Sequence, residues 1–292
     1  MGVPRLLSNT EGTLKVGIKT IALVVFDSAE AEWVINQTVT LASSLGAHVL
    51  GLHTYAPAVF LAGMAAEPMV FPTYRDWETD ESDQVQTLLE QAARNNDVQA
   101  EFRRQTLLYG AEAFALSSVR AADLVVMGTN GSKTRSPDNR ALASQIVRHA
   151  GRPVLVLNPE SGLSRQAETI VVGWSDTRES TRAAHDALLL AKPGASIRVV
   201  SLMSRPGEEQ QGLGSHKDFA AALDRLGFEA VVIERMATAE SRAEELLRIA
   251  TEEGADLLVT GAFGHSQVYD FVVGAVTRHL LESARLPVLL SK

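Results

Sequence analysis

The residues with the clearest chemical potential form a glycine-spaced loop near the C-terminus. It reads Gly261-Ala262-Phe263-Gly264, then the nine residues from His265 to Val273, then Gly274-Ala275-Val276-Thr277 at the predicted start of a helix. Glycines let backbone N–H groups approach an anion with no Cβ in the way. The first turn of a helix leaves its N–H groups unpaired and carries a partial positive charge. Together they can hold a phosphate with few basic side chains, and the Thr277 hydroxyl, one turn in, can donate a further hydrogen bond. A strand–turn–helix also gathers glycines for purely steric reasons, so spacing and context must decide between the two readings. Other phosphate and nucleophile patterns are absent. There is no G-x4-G-K-[ST], no G-x-G-x2-G after a first strand and no G-x-S-x-G. The seven histidines contain no H-E-x2-H or H-x3-H pair, so zinc hydrolysis has no support. Cysteine is absent, which excludes disulfides, thiol catalysis and Cys-ligated metals. His265, directly after Gly264, would touch a phosphate if protonated and is otherwise an exposed loop histidine.

The elements that must position this loop repeat along the chain. Residues 122–128 read ADLVVMG and residues 255–261 read ADLLVTG, each followed by a second glycine, Gly131 and Gly264. Each half then runs to a Pro-Val-Leu strand, at Pro153 and Pro287, and each begins alike, Lys19-Thr20-Ile21 against Glu168-Thr169-Ile170. Three matches in the same order argue for duplication of a whole domain. The polar Pro/Gly/Ser stretch from Pro159 suits a linker. The domains are therefore expected at residues 18–158 and 168–292.

In the second half, strands are expected at Thr169–Trp174, Ile197–Leu202, Phe228–Ile233, Asp256–Thr260 and Val288–Ser291. Helices are expected at Ser180–Ala191, closed by Pro193-Gly194, and at Lys217–Leu226, Glu240–Glu253 and Ala275–Arg285. The first half repeats the order, with strands near 21–26, 48–53, 98–103, 123–127 and 154–157. Strands apolar throughout and separated by helices are parallel strands buried on both faces, so the fold class is α/β, with two doubly wound five-stranded sheets. Ligands of such sheets sit at the carboxyl ends of the strands.

Composition narrows the partners. The 292 residues carry a net charge of −8, which argues against nucleic acid or an anionic membrane. The N-terminal stretch has no apolar run of signal-peptide length, and no stretch reaches about 18 apolar residues, so no membrane span and a cytoplasmic location are expected.

The spacing G-x2-G-x9-G, the strand–helix order and the terminal Pro-Val-Leu strand together resemble the universal stress protein family, over two tandem copies. The resemblance implies a stress-response protein that binds ATP or a related adenine nucleotide, with Mg²⁺, as a sensor or regulator with little or no hydrolysis. It also implies pairing through the last strand, which two domains of one chain could satisfy between themselves or in a homodimer. Carried over residue by residue, Gly261, Gly264 and Gly274 match the family glycines, and Val276 and Thr277 fit the positions after Ala275. Ala275 replaces the usual Ser or Thr. The family's acidic residue at the end of the first strand aligns with Ser175, followed by Asp176, and Leu202 takes the adenine-packing place. Phe263 packs either over the nucleotide or into the core. In the first half Asp27 keeps the acidic position, but Arg140 or Ala141 stands at the third glycine and Pro137 removes an N–H, so ATP is not expected there. Lys133, Arg135 and Arg140 are expected as a solvated basic loop. The alternative to nucleotide binding is a scaffold acting through protein contacts, with the segment from Ala56 to Phe71 as a lid, a partner surface or a plain connection.

Overall fold

The computed structural model describes residues 17–54, 71–105, 110–129, 135–203, 214–237, 241–263 and 274–292, with backbone only for 71–79. The first half runs β1 (Thr20–Val25), α1 (Ser28–Leu45), β2 (His48–His53), α2 (Phe71–Asn95), β3 (Ala100–Arg104), α3 (Ala111–Val119), β4 (Leu124–Gly128), α4 (Pro137–His149) and β5 (Val154–Leu157). The second runs β6 (Ala167–Trp174), α5 (Arg178–Ala187), β7 (Ala191–Met203), α6 (Ser215–Arg225), β8 (Glu229–Met236), α7 (Arg242–Glu252), β9 (Leu257–Gly261), α8 (Ala275–Ser283) and β10 (Val288–Ser291).

The ten strands form one sheet, ordered β3-β2-β1-β4-β5-β10-β9-β6-β7-β8. Pairing within each half is parallel, as continuous apolar strands require when helices cover both faces. Among the described residues, α1, α2, α5 and α6 supply side chains to one core layer and α3, α4, α7 and α8 to the other. The halves meet where β5 and β10 pair antiparallel, with Leu155 opposite Leu289. Each Pro-Val-Leu strand is buried along its whole length, and alone it would leave an unpaired apolar edge. Pairing the two removes both edges, so neither is free to recruit a second chain.

The repeated Asp of ADLVVMG and ADLLVTG has a structural role. Asp123 Oδ2 accepts from the backbone N–H groups of Lys19 and Thr20, at 2.8 and 2.9 Å. Asp256 Oδ2 accepts likewise from Glu168 and Thr169, at 2.8 and 3.0 Å. Each aspartate fixes the start of the central strand of its half.

Three expectations change. The helix expected to Ala191 ends at Ala187, and Pro193-Gly194 lie inside β7. Gly194 has φ +75°, and the β6–β7 register shifts there, so the dipeptide forms a bulge that only glycine accommodates without strain. The stretch expected as a linker folds back on the protein. Leu163 is buried in the core, and the Asn158 side chain accepts from the N–H groups of Glu160 and Ser161. The third change is Arg135, which is buried rather than solvated. Residues 56–70, singled out in the sequence, lie outside the described residues.

Candidate functional site

At the carboxyl ends of β6, β7 and β9, beside the N-terminus of α8, lies a cavity of about 350 Å³, within the range of small-ligand sites. Seven of the residues read from the sequence line it: Ser175, Leu202, Gly261, Gly274, Ala275, Val276 and Thr277. Gly264 and His265 lie outside the described residues. Trp174, Thr177, Arg242, Thr260 and Phe263 join the lining. Among the described lining residues Arg242 carries the only charge, a positive one, and there is no carboxylate or imidazole.

Helix α8 opens on Gly274 with no side-chain cap, so its first-turn donors are not taken up by a capping side chain. Thr277 lies in that turn and is buried. Among the described residues, a Cβ built on Gly274 would approach nothing closer than 3.9 Å, so packing against them does not demand this glycine. Gly261 differs. A Cβ there would lie 2.5 Å from the backbone nitrogen of Ser180 and 2.7 Å from the carbonyl carbon of Glu179, so the start of α5 packs directly on it. Gly261 is therefore fixed sterically, whatever its N–H does.

Phe263 is buried in the core and also borders the cavity without filling it. Its φ of +63° is unusual for a residue with a side chain. The guanidinium carbon of Arg148 lies 4.6 Å from its ring centroid and Lys292 Nζ 5.4 Å, so a cation from α4 of the first half covers it.

The corresponding corner of the first half holds a buried ion pair. Arg135, expected in solvent, is buried. Its guanidinium donates to the Gly128 carbonyl at 2.9 Å, forms an ion pair with the equally buried Glu30, and stacks 4.4 Å from the Phe26 ring centroid. Burial pushes the Glu30 carboxyl above its ordinary range, opposed by Arg135 and by the Phe26 N–H it accepts at 2.8 Å. Arg140 is half-buried rather than fully solvated, and Lys133 lies outside the described residues. Helix α4 is capped: Ser136 accepts from the Asn139 N–H at 3.1 Å, and Pro137 contributes no N–H.

Register shows why the halves differ. The β1–β4 ladder ends with Val24 beside Met127, and the β6–β9 ladder ends with Gly173 beside Thr260. Phe26 follows β1 where Ser175 follows β6. At all three positions the second half carries the smaller residue, and each of the three borders the cavity. Aligning the two halves reveals this, but only once the ladders fix the offset.

The ladders also move one assignment. Asp27 caps α1, accepting from the Glu30 N–H, and the residue capping α5 is Thr177, accepting from the Ser180 N–H. Asp27 therefore corresponds to Thr177, whereas Ser175 corresponds to Phe26. Asp176 is the extra residue of this turn, and it accepts a hydrogen bond from Ser215. Ser175 remains in the lining, 3.2 Å from the Thr177 hydroxyl.

His53, at the carboxyl end of β2, is fully buried, with Nδ1 2.7 Å from Ser82 Oγ. Burial holds its pKa below the ordinary value, against the pull of Glu81 and Asp27. Below about pH 6.5 the unfolded chain takes up a proton here that the folded chain does not. Stability is expected to fall as pH drops from there toward the lowered folded-state pKa. Urea midpoints across that window should show the loss, and His53→Asn, which keeps a group at Nδ1 but cannot ionise, should flatten it. An unchanged slope in the variant would place the titration elsewhere.

Comparison with known proteins agrees with this architecture. Residues 166–292 match the universal stress protein family. That match covers the second half of the chain. A universal stress protein of Mycobacterium tuberculosis strain H37Rv is 23% identical over 249 residues, 77% of this chain and 82% of its own. One from Synechocystis is 24% identical over 169 residues, and this chain spans 57% of its length. The crystal structure of a universal stress protein from Archaeoglobus fulgidus superposes with a TM-score of 0.69 at 13% identity, covering 94% of this chain and 96% of that one. At that identity the likeness speaks for the fold alone. Among the described residues, no helix is long and apolar enough to cross a membrane.

Proposed function

We propose that the second half binds ATP or a related adenine nucleotide, and that the protein acts in the cytoplasm as a stress-response sensor or regulator with little or no hydrolysis. The two units of this reading are residues 18–158 and 168–292. The observation that carries it is a ligand-sized cavity, with no carboxylate among its described lining residues, onto which the uncapped N-terminus of α8 opens. Phosphates would meet the N–H groups of Ala275, Val276 and Thr277, and Gly264 and His265 belong to the same loop in sequence. The base would lie toward Leu202. The first half, with Arg135, Glu30 and Phe26 buried at its corresponding corner, serves as structural partner.

Calorimetric titration of the full chain with MgATP tests the reading. Wild type should bind, and Gly274→Val should lose about tenfold or more in affinity, about 1.4 kcal/mol, without a change in melting temperature. Equal affinities would contradict the site.

A second reading is a tandem scaffold acting through protein contacts. The buried Arg135–Glu30 pair at the first-half corner favours it, because a large side chain there takes up room a ligand would need. Thermal shift separates the two readings, since a ligand that binds only the folded state raises its melting temperature.

A further inference from the structure

Thr260 sits at the end of β9, on the cavity wall, and is 4% exposed. Its hydroxyl is buried and has no hydrogen-bond partner. The buried threonines of the first half differ. Thr38 donates to the Val34 carbonyl at 2.7 Å, Thr54 to Gln105 at 2.9 Å and Thr129 to the Leu281 carbonyl at 2.7 Å. The counterpart of Thr260 by register, Met127, has no hydroxyl at all. An unsatisfied buried hydroxyl is unfavourable, and valine would fill the same volume without it. The hydroxyl therefore calls for a partner that arrives from the cavity.

The surroundings of that hydroxyl limit what the partner can be. Gly173 pairs with Thr260 in the β6–β9 ladder, Leu246 packs over Gly173, and Val200 and Leu202 line the same cavity, all apolar or without a side chain, while the polar lining residues Ser175, Thr177 and Arg242 lie off that ladder. A sugar would bring several hydroxyls to this wall and leave most of them unpaired. A flat heterocycle would lay its faces on the apolar residues and present polar atoms only at its edge.

We propose that Thr260 is the specificity-determining residue of this cavity, its hydroxyl hydrogen-bonding one edge atom of a nitrogen heterocycle. The inference rests on the nucleotide reading given above and deepens it, because it assigns the base, rather than the sugar or phosphates, to the Gly173–Thr260 wall. A site built to hydrogen-bond its ligand rejects an analogue that lacks the matching atom, because its own polar group is then left unpaired.

The test titrates the full chain with MgATP and with its 1-deaza, 3-deaza, 7-deaza and 6-desamino analogues, in wild type, Thr260→Val and Thr260→Ser. Thr260→Val should bind ATP about five- to tenfold more weakly, and Thr260→Ser should stay within about threefold of wild type. One analogue should bind wild type about five- to tenfold more weakly than ATP, and Thr260→Val should bind that analogue and ATP alike. The ligand-free Thr260→Val chain should melt at or above the wild-type temperature, which a merely structural hydroxyl would not allow. Equal ATP affinity in wild type and Thr260→Val overturns the inference alone, as does discrimination among the analogues that Thr260→Val retains in full. Absence of ATP binding by wild type overturns the nucleotide reading and this inference with it.

Discussion

Replacing Arg135 by alanine should destabilise the protein by about 3–5 kcal/mol. Arg135 and Glu30 side chains are 0% and 1% exposed, so neither charge has water to fall back on. Removing the guanidinium strands the Glu30 carboxylate, takes the donor from the Gly128 carbonyl and empties the space beside Phe26. Burial already pushes the Glu30 carboxyl upward, and losing its partner pushes it further. The deficit should therefore be largest at neutral and alkaline pH and shrink in acid, where Glu30 can protonate and become neutral. Pairing Arg135→Met with Glu30→Leu removes both charges, and the double variant should lose far less than the sum of the single losses. Urea unfolding of the singles and the double measures this. Additive losses, or a loss for Arg135→Ala near zero, would mean that the pair is not buried together at the first-half corner as described.

Gly261→Ala should cost about 1–3 kcal/mol, while Gly274→Ala should stay within about 0.5 kcal/mol of wild type. The new Cβ at 261 meets the Ser180 nitrogen at 2.5 Å, the Glu179 carbonyl carbon at 2.7 Å and Ser180 Cα at 2.9 Å. These are backbone atoms of a capped helix start, and no rotamer change relieves the contact. At 274 the nearest described atoms are 3.9 and 4.0 Å away, and φ is −55°, open to any L-residue. The two glycines look interchangeable in the loop pattern yet have different causes. One gives way to a helix. The other leaves a helix N-terminus open to a cavity. A loss of stability at 274 equal to that at 261 would reverse this assignment.

That difference marks what the sequence could show. The paired apolar strands, their parallel sense and the duplication were legible, because alternation of strand and helix and the repeated ADL and Pro-Val-Leu segments constrain the topology strongly. Five of the described lining residues, Gly261, Gly274, Ala275, Val276 and Thr277, were legible in the loop pattern, and Ser175 and Leu202 came from the family resemblance. Arg135 was not. A basic residue in a loop is usually solvated, and only a carboxylate distant in sequence, Glu30, makes its burial possible. The equivalence of Asp27 with Thr177 was hidden by the extra residue Asp176, which shifts the alignment after an otherwise regular strand. Gly173 and Thr260 escaped notice because each is unremarkable alone. Their meaning comes from lying side by side in the ladder where the first half has Val24 and Met127.

A crystal structure of the full chain grown with MgATP is the deciding measurement. One nucleotide per chain is expected, its phosphates within hydrogen-bond reach of the N–H groups of Ala275–Thr277 and its base against Leu202. Nucleotide seated instead at residues 128–144 of the first half, or a second-half cavity left without nucleotide at saturating MgATP, would contradict it.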